Sequence, residues 1–210
     1  MKKWISLCLI AIMLLSLCLS GCGGKKGLTL NVYNWGEYIS DGSEGSFDTV
    51  REFEKWYEET YGQKVTVNYS TFASNEDMYS KISSGAVSYD VIIPSDYMIA
   101  RMAKEGLLLP LNFDNIPNYQ YIEDTFKGLY YDPDNQYSIP YTYGIVGVIY
   151  DANVVDEADT GSWDLMWNEK YSGKILQFNN SRDACGTAMY KLGIDVNTTD
   201  KASWDKAYDE

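Results

Sequence analysis

An α/β fold is what the hydrophobic pattern of this chain predicts, and three observations carry the prediction. Apolar residues alternate with a two-residue period at Leu28, Leu30 and Val32 and again over Lys64–Ser70 (KVTVNYS), which is the signature of strands. Segments of helical period stand between and after them. Tyr89–Ile93 (YDVII) is a near-continuous apolar run ending at Pro94, as in a parallel strand covered on both faces. Three strands with intervening helices make a βαβαβ unit, in which ligands sit at the carboxyl ends of the strands.

Each element follows from its residues. The first strand runs into a loop with Trp35, Gly36, Glu37 and Tyr38. A carboxylate between two aromatics suits an organic cation, through charge-assisted hydrogen bonds and cation–π contact; the same residues could equally make a surface turn. Ser46–Tyr61 has Phe47, Val50, Phe53 or Glu54, Tyr57 and Tyr61 at helical spacing, with Ser46 as N-cap and Gly62 as stop. Ser74 opens a second helix, with Met78 and Ile82 on one face, that ends at Gly85. Ser95, Asp96 and Tyr97 open a third, finishing at Gly106. The Trp35–Tyr38 and Ser95–Tyr97 loops both follow strand ends and are expected to meet over one crevice.

Beyond Leu107 the chain is irregular, with Pro110, Pro117 and Pro133. Strands are expected at Ile145–Tyr150 and at Lys174–Phe178 (KILQF), a short helix capped by Ser162, a helix through Tyr190, and another from about Lys201. These elements begin a second lobe without closing its sheet, so a fragment of a longer chain is expected. The organisation read from sequence is a signal segment over 1–22, a tether over 23–27, an N-terminal α/β lobe over 28–140 and the start of a second α/β lobe over 141–210.

The signal segment has Lys2 and Lys3, an apolar run from Trp4 to Leu19, then Ser20-Gly21-Cys22. The run is short for a membrane span and normal for a signal peptide core. Its close resembles the lipobox of bacterial lipoproteins, which implies acylation at Cys22 and anchoring on the outer face of the cytoplasmic membrane or in the periplasmic space. Cys8 and Cys18 leave with the signal, so Cys185 is a lone thiol and reads as a packing residue.

Composition excludes several classes. The net charge of −13, or −15 once Lys2 and Lys3 are removed, argues against a nucleic-acid partner. There is no histidine, which removes Ser-His-Asp triads, Cys-His dyads, H-E-x-x-H zinc sites and any imidazole base. Neither G-x-G-x-x-G nor G-x-x-x-x-G-K-[ST] is present, and no cofactor or metal is expected. Nineteen tyrosines and six tryptophans are many for 210 residues; rings at that density serve sugar, peptide or cation recognition, or core packing and loop anchoring.

The blocks Tyr33–Tyr38, Tyr69–Glu76, Asp90–Tyr97 and Tyr137–Tyr141, in that order, resemble the spermidine/putrescine-binding proteins of bacterial ABC importers. The resemblance covers Leu28 to Glu210. It implies a two-lobed fold of the periplasmic-binding-protein type II kind, with the N-terminal lobe complete and the second partly present. It also implies a polyamine held between lobes that close on it, ABC permease subunits as partners, a monomer and no catalysis. Position by position, Trp35, Gly36, Glu37 and Tyr38 match the first ligand loop and Ser95, Asp96 and Tyr97 the second. Arg182 and Asp183 match an arginine–acid pair, and Asn180 stands where relatives often have aspartate. Glu37 and Asp183 would take ammonium groups, with Trp35, Tyr38 and Tyr97 along the methylenes. Further ligand residues are expected beyond Glu210. A sugar or amino compound as solute, a secreted glycosidase using Glu37 and Asp183, and a structural lipoprotein are the competing readings.

Overall fold

A computed structural model describes residues 27–210; the signal segment and the lipobox with Cys22 lie outside the described residues. The described residues divide into two compact units. One comprises the chain up to Ala73 together with Ser84–Pro94, the other Ser74–Ser83 together with Ser95–Glu210.

The first unit is a parallel sheet with one crossover helix. Strand β1 (Leu28–Trp35) pairs over its whole length with β2 (Val65–Phe72), in register from Leu28–Val65 to Trp35–Phe72, and on its other side with β3 (Val91–Ile92), giving the order β2-β1-β3. Helix α1 (Thr49–Tyr61) connects β1 to β2 and packs on β2. Its N-cap is Asp48, whose carboxylate accepts the Arg51 N–H at 3.0 Å, rather than the expected Ser46. Residues 43–45 instead form a separate 3-10 turn. Gly62 stops the helix in the left-handed conformation, φ 63°. The outer edge of β2 is covered from α1: Glu54 Oε1 accepts the Val67 N–H at 2.7 Å, pairing a donor that an edge strand leaves open.

Strand β3 is shorter than Tyr89–Ile93 and Val91 is exposed, so it is not covered on both faces as the apolar run suggested. At Asp90 the backbone N–H still donates to the Asn31 carbonyl at 2.9 Å, while its side-chain Oδ2, in place of a backbone carbonyl, accepts the Asn31 N–H at 2.7 Å. Tyr89 contributes instead by stacking on Tyr33, centroids 4.4 Å apart. Tyr33, Val65 and Phe72 are the buried apolar residues of this unit.

The second unit is helical and irregular. Helices α2 (Asn75–Ser83) and α3 (Asp96–Lys104) pack together, with Met78, Met98 and Met102 fully buried and Ile82 half-buried beside them. Helices α4 (Ser181–Leu192) and α5 (Lys201–Asp209) pair over Ala188, Met189 and Ala207, with Trp167, Cys185, Ile194, Val196 and Trp204 around them. Cys185 is thus the packing residue expected. Ser162 caps the predicted short helix, which is a 3-10 helix over Trp163–Trp167.

The expected strands at 145–150 and 174–178 are absent from the described backbone. A strand exists only as a member of a ladder, and these segments pair with no other among the described residues. Their apolar side chains stand largely in water, with Ile145 at 93% and Ile149 at 98% exposed.

Candidate functional site

The second unit holds a cavity of about 470 Å³ at the N-terminal ends of α3 and α4. Ser95, Asp96, Tyr97, Asn180, Arg182 and Asp183 all line it, so two stretches 83 to 88 positions apart by number are brought together. The reason is local at each end. Ser95 is the N-cap of α3, yet its side chain does not cap the helix. Its N–H is held by Asn75 Oδ1 at 3.1 Å, and the same buried amide donates to the Tyr97 hydroxyl at 2.9 Å. Asn180 is the N-cap of α4, its Oδ1 accepting the N–H groups of Arg182 at 2.9 Å and Asp183 at 3.3 Å. Both helix starts are therefore fixed by asparagine side chains.

Glu76 links the two. Its Oε1 accepts the Tyr97 hydroxyl at 3.2 Å and the Ser181 hydroxyl at 2.8 Å. Burial raises the pKa of the Tyr97 phenol, and the Glu76 charge adds to the rise. Tyr97 therefore remains a neutral ring in the cavity wall. The Arg182 guanidinium lies 5.3 Å from the Tyr97 ring centroid and 5.0 Å from that of Trp204, and it reaches the Val196 carbonyl at 3.4 Å. These contacts fix it as a wall of the site.

Two carboxylates face this space. Asp96 accepts the Tyr97 N–H at 2.7 Å and the Tyr130 hydroxyl at 2.8 Å. Burial, then the hydrogen bond to Asp96 and the Asp96 charge, push the Tyr130 pKa well up, so Tyr130 stays a donor. Asp183 is half-buried; desolvation raises its pKa, and the negative charge of Asp96 raises it further. A cation bound between them relieves both effects at once.

Trp35, Gly36, Glu37 and Tyr38 belong to the first unit and form a turn at the carboxyl end of β1. The buried Asn34 starts it by accepting the Trp35 N–H on Oδ1 at 2.8 Å. Trp35 is braced by Phe72, centroids 4.7 Å apart, and lies 6.3 Å from Tyr38. Glu37 has φ 59°, an uncommon left-handed conformation for a residue with a side chain, and it is exposed with Tyr38.

Sequence reasoning missed Tyr130, Tyr190 and Asn197 as lining residues and Asn75 as a positioning residue. Tyr130 and Asn197 stand in segments without a periodic pattern, so only the tertiary fold brings them to the cavity.

Residues 49–209 match the family described as bacterial extracellular solute-binding protein. The chain belongs to that family. It is 34% identical, over its whole length, to the spermidine/putrescine-binding periplasmic protein of Escherichia coli, of which it covers 57%. Among solved structures it is similar to the spermidine/putrescine ABC transporter substrate-binding protein PotD of Streptococcus pneumoniae (36% identity, TM-score 0.63, 87% of this chain and 53% of that one). It is likewise similar to the TpPotD lipoprotein of Treponema pallidum (30% identity, TM-score 0.69, 85% and 52%). The chain spans about half the length of the curated relatives it matches.

Proposed function

We propose that this chain belongs to the solute-binding component of an ABC importer that captures polyamines, spermidine or putrescine, outside the cell and delivers them to a membrane permease. The observation that carries the reading is the pair Asp96 and Asp183 in one cavity walled by Tyr97 and Tyr130, with Asp183 desolvated and facing another negative charge. Such a place is unfavourable when empty and favourable for an organic ammonium. The names of the relatives at 34% and 36% identity support the same solute class.

In this reading Asp183 and Asp96 take an ammonium group, Tyr97 covers methylenes, Ser95 and Asn180 offer polar contacts, and Arg182 bounds the space. In the first unit Trp35, Gly36, Glu37 and Tyr38 are ligand contacts as well, Glu37 toward an amine and the two rings toward the aliphatic chain. Lipid anchoring through Cys22 on the outer face of the membrane, and function as a monomer, complete the proposal.

Titration calorimetry of putrescine and spermidine into the chain from Lys25 onward, at low and high salt, tests it. The expected result is saturable heat that weakens as salt rises, because ion-paired amines are screened. An absence of heat with both polyamines, together with salt-independent binding of an uncharged sugar, overturns it.

A further inference from the structure

The last turns of α1 carry four aromatic rings in continuous contact. Phe53 and Trp56 have centroids 5.9 Å apart, Trp56 and Tyr61 5.9 Å at 89°, and Tyr57 and Tyr61 4.7 Å. Phe53 and Tyr57 are half-buried, whereas Trp56 and Tyr61 remain 51% and 55% exposed. Rings held in fixed geometry by their neighbours, yet open on one side, suit a boundary between water and an apolar phase.

Their position identifies the boundary. After Tyr61 the chain turns at Gly62 and reaches Val65, which pairs with Leu28; the Leu28 N–H donates to the Lys64 carbonyl at 2.9 Å. The aromatic cluster therefore lies at the end of the sheet where β1 begins, and Leu28 is itself exposed there. Only residues 23–27 separate Leu28 from Cys22, and an extended chain of that length reaches about 20 Å. An acyl group on Cys22 holds this end of the unit at a membrane surface. Tryptophan and tyrosine are the side chains that concentrate at the headgroup–acyl boundary, and a short tether turns a weak contact into an intramolecular one. The neighbouring charges balance, with Lys55 and Lys64 exposed beside Glu58 and Glu59, so the contact needs no anionic lipid.

We infer that Trp56 and Tyr61, with Leu28, form a membrane-resting face that seats in the phospholipid interface beside the acylated Cys22. The inference rests on the lipid-anchoring reading above. It sets the orientation of the first unit: the Trp35–Tyr38 turn, at the far end of the eight-residue β1, is carried about 25 Å from the lipid.

The test couples the mature chain, with Cys185→Ala, through the Cys22 thiol to a maleimide-bearing phospholipid in phosphatidylcholine vesicles whose acyl chains carry bromine. Tryptophan emission is then read. The coupled protein is expected to be quenched, Trp56→Phe to lose most of that quenching, Tyr61→Ser to reduce it, and the uncoupled protein to show none. Circular dichroism confirms that each variant is folded. Quenching that survives Trp56→Phe, or no quenching in the coupled protein, overturns the resting face. A Trp56-dependent dimer in sedimentation without bromine quenching also overturns it, in favour of a second copy of the chain. Chemical coupling makes these outcomes independent of cellular acylation. That is read separately by incorporation of a tagged fatty acid at Cys22, whose absence overturns the anchoring and with it the resting face in the cell.

Discussion

Asp183 shows at the level of one residue how a group proposed to take a ligand works against its own fold. Its carboxyl is raised above the ordinary 3.8, by burial first and by the Asp96 charge second. A carboxyl raised in the folded state takes up its proton at higher pH when folded than when unfolded. Ionised Asp183 therefore detracts from stability at neutral pH, and that penalty fades as pH falls through the raised value toward 3.8. Asp183→Asn is expected to raise the melting temperature at pH 7, with the gain shrinking near pH 4, while weakening polyamine binding by about 2 kcal/mol and flattening its salt dependence. Thermal unfolding at the two pH values and calorimetry check both halves; unchanged affinity removes Asp183 from the ligand contacts. Asn180 illustrates a second residue-level point. Its amide oxygen caps α4, so this side chain serves the helix start, and in the proposed function the ionic contacts come from Asp96 and Asp183.

At the scale of elements, helices were legible and strands only partly so. Gly62, left-handed, ends α1 where the sequence puts the stop, whereas the cap is Asp48 two positions after the expected Ser46; Asn180 and Asp200 start α4 and α5, and the left-handed Gly193 ends α4, by the same local chemistry. The segments 145–150 and 174–178 are apolar enough to read as strands but pair with nothing among the described residues, which no local pattern reveals. The irregular stretch before Pro140 is ordered by another device. Asp132 is buried and accepts the N–H groups of Gln136 at 2.9 Å, Tyr137 at 2.9 Å and Ser138 at 2.8 Å, and the Ser138 hydroxyl at 2.8 Å. Burial alone would raise its pKa, but the Ser138 hydroxyl and the three backbone donors outweigh it and leave the pKa lowered. A carboxyl depressed in the folded state contributes stability above its ordinary pKa that is lost as pH falls through the folded one. Asp132→Ala is expected to lose about 1 to 3 kcal/mol at pH 7 and less at strongly acid pH, measured by urea unfolding, because it leaves buried donors unpaired. An unchanged urea midpoint would show that water replaces the carboxylate.

For the molecule as a whole, charge and exposed apolar surface make opposite contributions. The net charge of −13 keeps copies apart and raises the encounter rate with polycations, an effect that fades with salt. Ile145 and Ile149 stand almost wholly in water. Replacing both by threonine is expected to raise solubility and leave the melting temperature within about 1 °C, since little buried area is lost; light scattering and thermal unfolding check this, and a clear fall in melting temperature would show that these side chains pack. The sequence by itself determined the α/β class of the first unit, the parallel β1, β2 and β3 and the helices, because periodicity and turn chemistry are properties of neighbouring residues; of the cavity wall it offered Ser95, Asp96 and Tyr97 at a strand end, and Asn180, Arg182 and Asp183 through the family resemblance. Only the tertiary structure decided that Asp96 and Asp183 share one desolvated space, that Asn75 and Tyr130 support it, and that two apolar segments have no ladder partner among the described residues. Each of these depends on which distant groups are within a few ångströms, and short-range pattern does not encode that distance.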